Sequence, residues 1–219
     1  MPRILFAKTA DAVWMSHLDL MRLFQRAFKR AGLQLTHTQG YNPRPSVSIA
    51  LPLSVGVESI CELLDFELEG EPVSYDEITA RLNSVLVPGV TVLSTYDGGR
   101  KIRDIALLDC CIALKYDAGV PERAGESIGA LFASEMLEVE KKGKNGPLRQ
   151  DIIPMIRQIS VEQSSEHTLK INARICCQNP ALNPVQLVTA IGEYLPPLAP
   201  DFAAVKRMEI YDTQENIFR

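Results

Sequence analysis

The chain has 219 residues, 46% hydrophobic and 23% charged, with a net charge of −4. That is an ordinary globular composition with enough apolar material for one large domain or two small ones, and it argues against wholesale polyanion binding while leaving local patches open. No apolar run approaches the ~18 residues of a membrane span, and the N-terminus MPRILFAKTADAVW lacks the apolar core and cleavage site of a secretory leader. The expectation is a cytoplasmic protein that makes no membrane contact.

In chain order, RILFAK (Arg3–Lys8) reads as a strand, and AVWM (Ala12–Met15) as its continuation after a turn. SHLDLMRLFQRAFKRAG then predicts a helix. Ser16 is its cap, Asp19 the capping-box partner three residues on, and Gly32 its stop. At ~100° per residue, Leu20, Leu23, Phe24, Ala27, Phe28 and Ala31 share one face, and Arg22, Arg26, Lys29 and Arg30 fall opposite. Ser46–Leu53 and Cys61–Gly70 read as strands, Ser74–Leu86 as a second helix and Val90–Tyr96 as a fourth strand.

Asp97–Asp104 is polar and glycine-bearing, a linker. The second half repeats the order more loosely. IALLDCCIALKYD is a strand, PERAGESIGALFASE a helix, MLEVEKK a strand and Lys142–Pro147 a loop. RQISVEQ and TLKINARICCQ form a hairpin closed near Ser164–His167. NPVQLVTAIGEYL is a helix with Asn183 as cap and Pro184 in its first turn, and AAVKRMEIYD a last strand. Two β-α-β-β-α-β runs predict an α+β fold of two tandem ferredoxin-like domains, residues 1–97 and 105–219, each with an antiparallel sheet carrying both helices on one face. One mixed α+β domain with an irregular second half is the alternative.

HTQGYNPRPSVSIALPL (His37–Leu53) carries the strongest local signal. Pro43 and Pro45 fix φ near −65° and push Asn42 and Arg44 toward extended backbone. Gly40 permits the turn that precedes them. Such a loop is ordered in advance, so a ligand meeting Tyr41, Asn42 and Arg44 loses less entropy on binding; a rigid connector that only sets strand register is the other reading. Residues 1–60 hold seven Lys/Arg against three Asp/Glu, a local +4, whereas residues 61–80 hold seven acids and no base. A basic helix face beside this loop is a candidate RNA surface. Phosphates would meet Arg22, Arg26, Lys29 and Arg30, and a base would stack on Tyr41 or Arg44. A solvated helix face is the plain alternative.

His17, in the first turn of the basic helix, and His37, before the loop and able to face the same cleft, are weak candidates for acid–base work on a phosphodiester. The vicinal pairs Cys110-Cys111 and Cys176-Cys177 lie on predicted strands, where one cysteine of each is expected to meet in the core as a small apolar residue. Strand alternation keeps vicinal cysteines from one metal, and no cofactor is expected. Phosphate-loop, zinc-protease and hydrolase-elbow motifs are absent from the sequence.

The dense stretch Trp14–Ser59 resembles the N-terminal signature of the radical-SAM-linked protein family, a domain of unknown function. The carrying motifs are S-H-L-D-L, R-A-x-x-R-A-G, Q-G-[FY]-N-P-x-P and A-L-P-L-x-x-G-x-E-S. RQDIIPMI (Arg149–Ile156) is similar to a weaker pattern in the second half. The resemblance makes Ser16, His17, Asp19, Arg26, Arg30, Gly40, Asn42, Pro43 and Pro45 signature positions. Arg44 stands where the family often has histidine and Ser46 where it often has lysine, so a proton-transfer role for that histidine does not carry over, while a phosphate contact does. Ile153 precedes Pro154 where arginine is usual. The resemblance implies a domain fused behind a radical SAM protein or encoded beside one, with gene neighbours that point to RNA or ribosome-related work. The expected function is an RNA-binding accessory module for tRNA or rRNA that works with a separate radical SAM enzyme. The alternatives are an endoribonuclease-like enzyme using His17 or His37, and a protein–protein adaptor docking the radical SAM partner.

Overall fold

In the computed structural model, which describes residues 1–143 and 146–219, the chain divides into two units, Met1–Asp104 and Ile105–Phe218. The first runs β1 (Pro2–Lys8), α1 (His17–Arg30), β2 (Val47–Ile49), β3 (Val57–Phe66), α2 (Tyr75–Asn83) and β4 (Val90–Asp97). β1 pairs antiparallel with both β3 and β4, and β2 pairs antiparallel with β3, giving the order β4-β1-β3-β2. Leu20, Phe24 and Phe28 of α1 join Ile78 and Leu82 of α2 in one cluster with Ile4, Phe6, Leu64 and Val92. Both helices therefore cover the same face of the sheet. Phe6 and Phe24 meet edge-to-face at 4.8 Å, and burying each ring fully contributes roughly 2–3 kcal/mol.

The start of α1 follows its sequence signal. The Ser16 hydroxyl accepts from the Asp19 amide (3.2 Å) and donates to the Asp19 carboxylate (2.7 Å). The segment before it departs from expectation: Ala10–Trp14 is a 3-10 helix, not a strand. Two tertiary bonds account for the turn. The buried Lys8 ammonium donates to the Met15 carbonyl (2.9 Å), and the Gly56 amide donates to the Val13 carbonyl (2.8 Å). On the sheet itself, buried Arg3 makes two bonds to the Asp65 carboxylate (2.6 and 3.0 Å) and donates to the carbonyls of Gly98 and Arg100.

The second unit runs β5 (Ile105–Lys115), α3 (Ala124–Phe132), β6 (Glu138–Gly143), β7 (Gly146–Asp151), β8 (Ile156–Ser165), β9 (Thr168–Cys176), α4 (Val185–Tyr194) and β10 (Phe202–Asp212). Its sheet has the order β10-β5-β9-β8, every pair antiparallel. Here the strand expected at MLEVEKK does not enter that sheet; β6 pairs with β7 as a separate hairpin. Alternation specifies a two-faced strand but not its partner. The expected loop Lys142–Pro147 is shorter than predicted, because β6 reaches Gly143 and β7 begins at Gly146; Lys144 and Asn145 lie outside the described residues. α4 begins one residue later than expected, with Pro184 at the cap position, and the Asn183 side-chain oxygen accepts from the Val185 amide (3.0 Å).

The cysteine pairs do not meet. On the β5–β9 ladder Cys110 lies opposite Ala173 and Cys176 opposite Leu107, three positions apart. All five cysteines are free thiols. Burial pushes Cys110 and Cys177 up to about 12, so both stay protonated at neutral pH. Polar order in this unit centres on Arg174, which makes two bonds to Asp109 (2.8 and 3.0 Å), one to Glu215 (2.6 Å), and stacks 4.0 Å over Tyr211.

Candidate nucleic-acid interface

α1 positions the cationic residues because its apolar face is fixed against the sheet. Arg22, Arg26, Lys29 and Arg30 are all exposed on the outward side. They do not act alike. Arg22 pairs with Asp19 one turn earlier (3.3 Å), and the Ser16 hydroxyl, reinforced by Arg22, holds the Asp19 carboxyl below the usual carboxylate range. Arg30 donates to the Val85 carbonyl after α2 (2.7 Å), which turns it to the far flank of the stripe. Of the seven bases in residues 1–60, Arg3 and Lys8 are buried and add nothing to the surface.

The proline-bearing loop is a closed excursion. His37 and Pro45 face each other across an antiparallel bridge, the Thr38 amide donates to the Arg44 carbonyl (2.9 Å), and the Arg44 amide donates to the Thr38 hydroxyl (3.0 Å). Gly40 turns the chain with φ +143°, a conformation side-chain-bearing residues rarely adopt. Tyr41, Asn42 and Arg44 are exposed at the tip, with Tyr41 at 101% relative exposure.

Helix and loop come together at one place. Gln25 and Lys29 of α1, with Leu33, Leu35, His37 and Pro45, line a hollow of about 520 Å³. The downstream acids approach the same segment: Gln34 donates to Glu69 (2.9 Å) and Thr36 to Glu67 (3.3 Å). Gln34 itself lines the hollow beside Leu33, Leu35 and His37, whereas Thr36 and Glu67 line a separate recess. Glu69 therefore reaches the edge of the hollow through Gln34, and Glu67 does not line it.

His17 and His37 do not share a cleft. His17 opens α1, whereas His37 lies beside Gln25 and Lys29, ~12 Å of helix rise further on. His17 is half-buried, its Nδ1 shielded from solvent. Among the described residues no group of three His, Cys, Asp or Glu is placed to hold a metal ion, and no helix is long and apolar enough to cross a membrane. The sequence reading missed two features of this unit. One is the hollow, whose walls come from three segments. The other is Trp14, 67% exposed and packed with its ring edge 3.5 Å from where a Cβ on Gly56 would stand; Leu18 and Val55 are also exposed.

A family model described as "Uncharacterized protein conserved in bacteria (DUF2344)" matches residues 2–184, which takes in the helix, the loop and the hollow. The chain belongs to this family. That description makes no mention of radical SAM proteins. None of the curated proteins matches the chain. Among solved structures, this DUF2344 member is similar to a Cbf5-Nop10-Gar1 complex, at TM-score 0.54 and 10% identity, over 95% of this chain and 48% of that one. It is also similar to an archaeal box H/ACA sRNP Nop10-Cbf5 complex, at TM-score 0.46 and 10% identity, over 94% and 46%. The chain spans about half the length of these structures. The first likeness is one of fold, a mixed α+β architecture with mostly antiparallel strands.

Proposed function

We propose that this DUF2344 protein is a cytoplasmic RNA-binding accessory module that holds tRNA or rRNA for a separate radical SAM enzyme. One observation carries the RNA reading: Lys29 of the cationic stripe and His37 and Pro45 of the loop stem line the same hollow, so phosphate-binding and base-contacting groups are neighbours. Arg22 and Arg26 are exposed on α1, and Tyr41, Asn42 and Arg44 are exposed on the loop. The radical SAM partner rests on the resemblance of the Trp14–Ser59 signature alone. The scaffold of this reading is two tandem ferredoxin-like domains, residues 1–97 and 105–219. Its support is the order β4-β1-β3-β2 in the first unit and the like order β10-β5-β9-β8 in the second.

The test is the salt dependence of single-stranded RNA binding. Each phosphate neutralised adds about 0.7 to the slope of log affinity against log salt. The double variant Arg22→Ala/Arg26→Ala is expected to bind more weakly, with a slope shallower by about 1.4. Absence of binding by the unaltered protein at low salt contradicts the proposal. A second reading, a protein-docking adaptor, is favoured by exposed Trp14, Leu18 and Val55. It predicts ribonuclease-resistant co-purification with a radical SAM protein that is lost in Trp14→Ala.

A further inference from the structure

We infer that the hollow between α1 and the loop stem is a pocket for one unpaired nucleobase of the bound RNA strand, an inference that rests on the RNA-binding reading above. Its volume of about 520 Å³ falls in the range of sites that enclose small ligands. The floor is apolar: Leu33 and Leu35 are buried members of the core cluster. Since His37 and Pro45 are direct cross-strand partners, their rings stand on the same side of the ladder, and both line the hollow. A flat base entering here meets an imidazole and a pyrrolidine face over a leucine floor.

Polar groups sit where a base edge and its phosphates would need them. Gln25 projects from α1 into the hollow, and its carboxamide offers one donor and one acceptor, the pattern that matches the edge of a base. Gln34 also lines the hollow, but its amide nitrogen is directed to Glu69, so Gln25 is the group that reads. Lys29 stands at the rim. On the helix wheel Leu18, Arg22, Arg26 and Lys29 fall within about 80° of one another, so the backbone of a strand following the arginines arrives at the rim beside Lys29. A duplex cannot deliver a base into such a recess, because its bases are stacked and paired; the ligand is single-stranded or carries a flipped or bulged nucleotide. The pocket also gives the loop bonds a role. The Thr38–Arg44 pair and the His37–Pro45 bridge hold open a wall that a slack loop would let collapse.

The experiment compares short single-stranded RNAs that differ only by one abasic position, moved along the strand, and measures their affinity for the full-length protein. An abasic residue in the pocket register is expected to weaken binding about tenfold, against little change at other positions. A 2-aminopurine at that register is expected to change fluorescence on binding. Gln25→Ala and His37→Ala, both side chains outside the core, are expected to remove the abasic penalty while leaving the salt slope unchanged. Equal affinity for intact and abasic strands at every register, with binding still weakened in Arg22→Ala/Arg26→Ala, overturns the pocket and leaves the RNA reading standing. Failure of the unaltered protein to bind any strand overturns both.

Discussion

Tyr41 is a large aromatic ring at 101% exposure on a loop braced by two prolines. Leaving such a ring in water has no benefit to the fold, and replacing it removes no intramolecular packing. Tyr41→Ala is therefore expected to leave the melting temperature unchanged while weakening single-stranded RNA binding about five- to a hundredfold, the worth of one base–aromatic stack; thermal unfolding and a binding titration check it. Cys110 gives the opposite case, a buried titratable group whose thiol donates to the Ala173 carbonyl. Its folded-state pKa is raised from 9.0 to about 12 by burial. Below pH 9 the thiol is protonated whether the chain is folded or not, and its contribution is fully present. Between about pH 9 and 12 the unfolded chain releases the proton first, so stability falls as pH rises. Denaturant titrations across that interval are expected to show the decline, and Cys110→Ala is expected to reduce it. Some residue roles were readable from the sequence and some were not. Ser16 and Asp19 announced their bond because a cap is local. Arg30 did not announce its bond to the Val85 carbonyl, since a partner 55 positions away leaves no local trace. Trp14, expected on a strand, ends a 3-10 turn and stands exposed over Gly56.

At the level of elements, α1 was legible throughout because its apolar and cationic faces are separated at the helical period, and the structure keeps that separation. The strand expected at Ala12–Met15 does not form, because bonds from Lys8 and Gly56, neither visible in the local pattern, close the segment into a 3-10 turn. The β6–β7 hairpin was not expected, because alternation is blind to partner choice. The loop closes on itself through Thr38, His37, Arg44 and Pro45, a closure that the proline spacing alone does not specify. Gly40 is its hinge. An alanine at φ +143° is strained, and the strain is relieved by reopening the turn. Gly40→Ala is expected to speed hydrogen exchange at the Arg44 amide and weaken RNA binding, with the global unfolding midpoint barely moved. Unchanged exchange at Arg44 would show that the turn does not depend on this glycine.

For the molecule as a whole, the charge pattern explains how a chain of net −4 presents a cationic surface. Two of the seven early bases are buried in the fold. The others stand outward on α1 and the loop. Of the acids that follow, Asp65 serves Arg3, and Glu67 and Glu69 bond to Thr36 and Gln34. The order of elements in the first unit was legible, since helix and strand periods alternate cleanly there. The hollow was not, because its walls are joined only by folding. Ultraviolet crosslinking in living cells, with the attached nucleotides mapped by mass spectrometry on the full-length protein, tests the central claim most directly. The account predicts crosslinked nucleotides on Tyr41 and neighbouring loop residues, lost together when Arg22 and Arg26 are both replaced by alanine. Recovery of the protein without RNA, or crosslinks confined to residues 105–219, would contradict it.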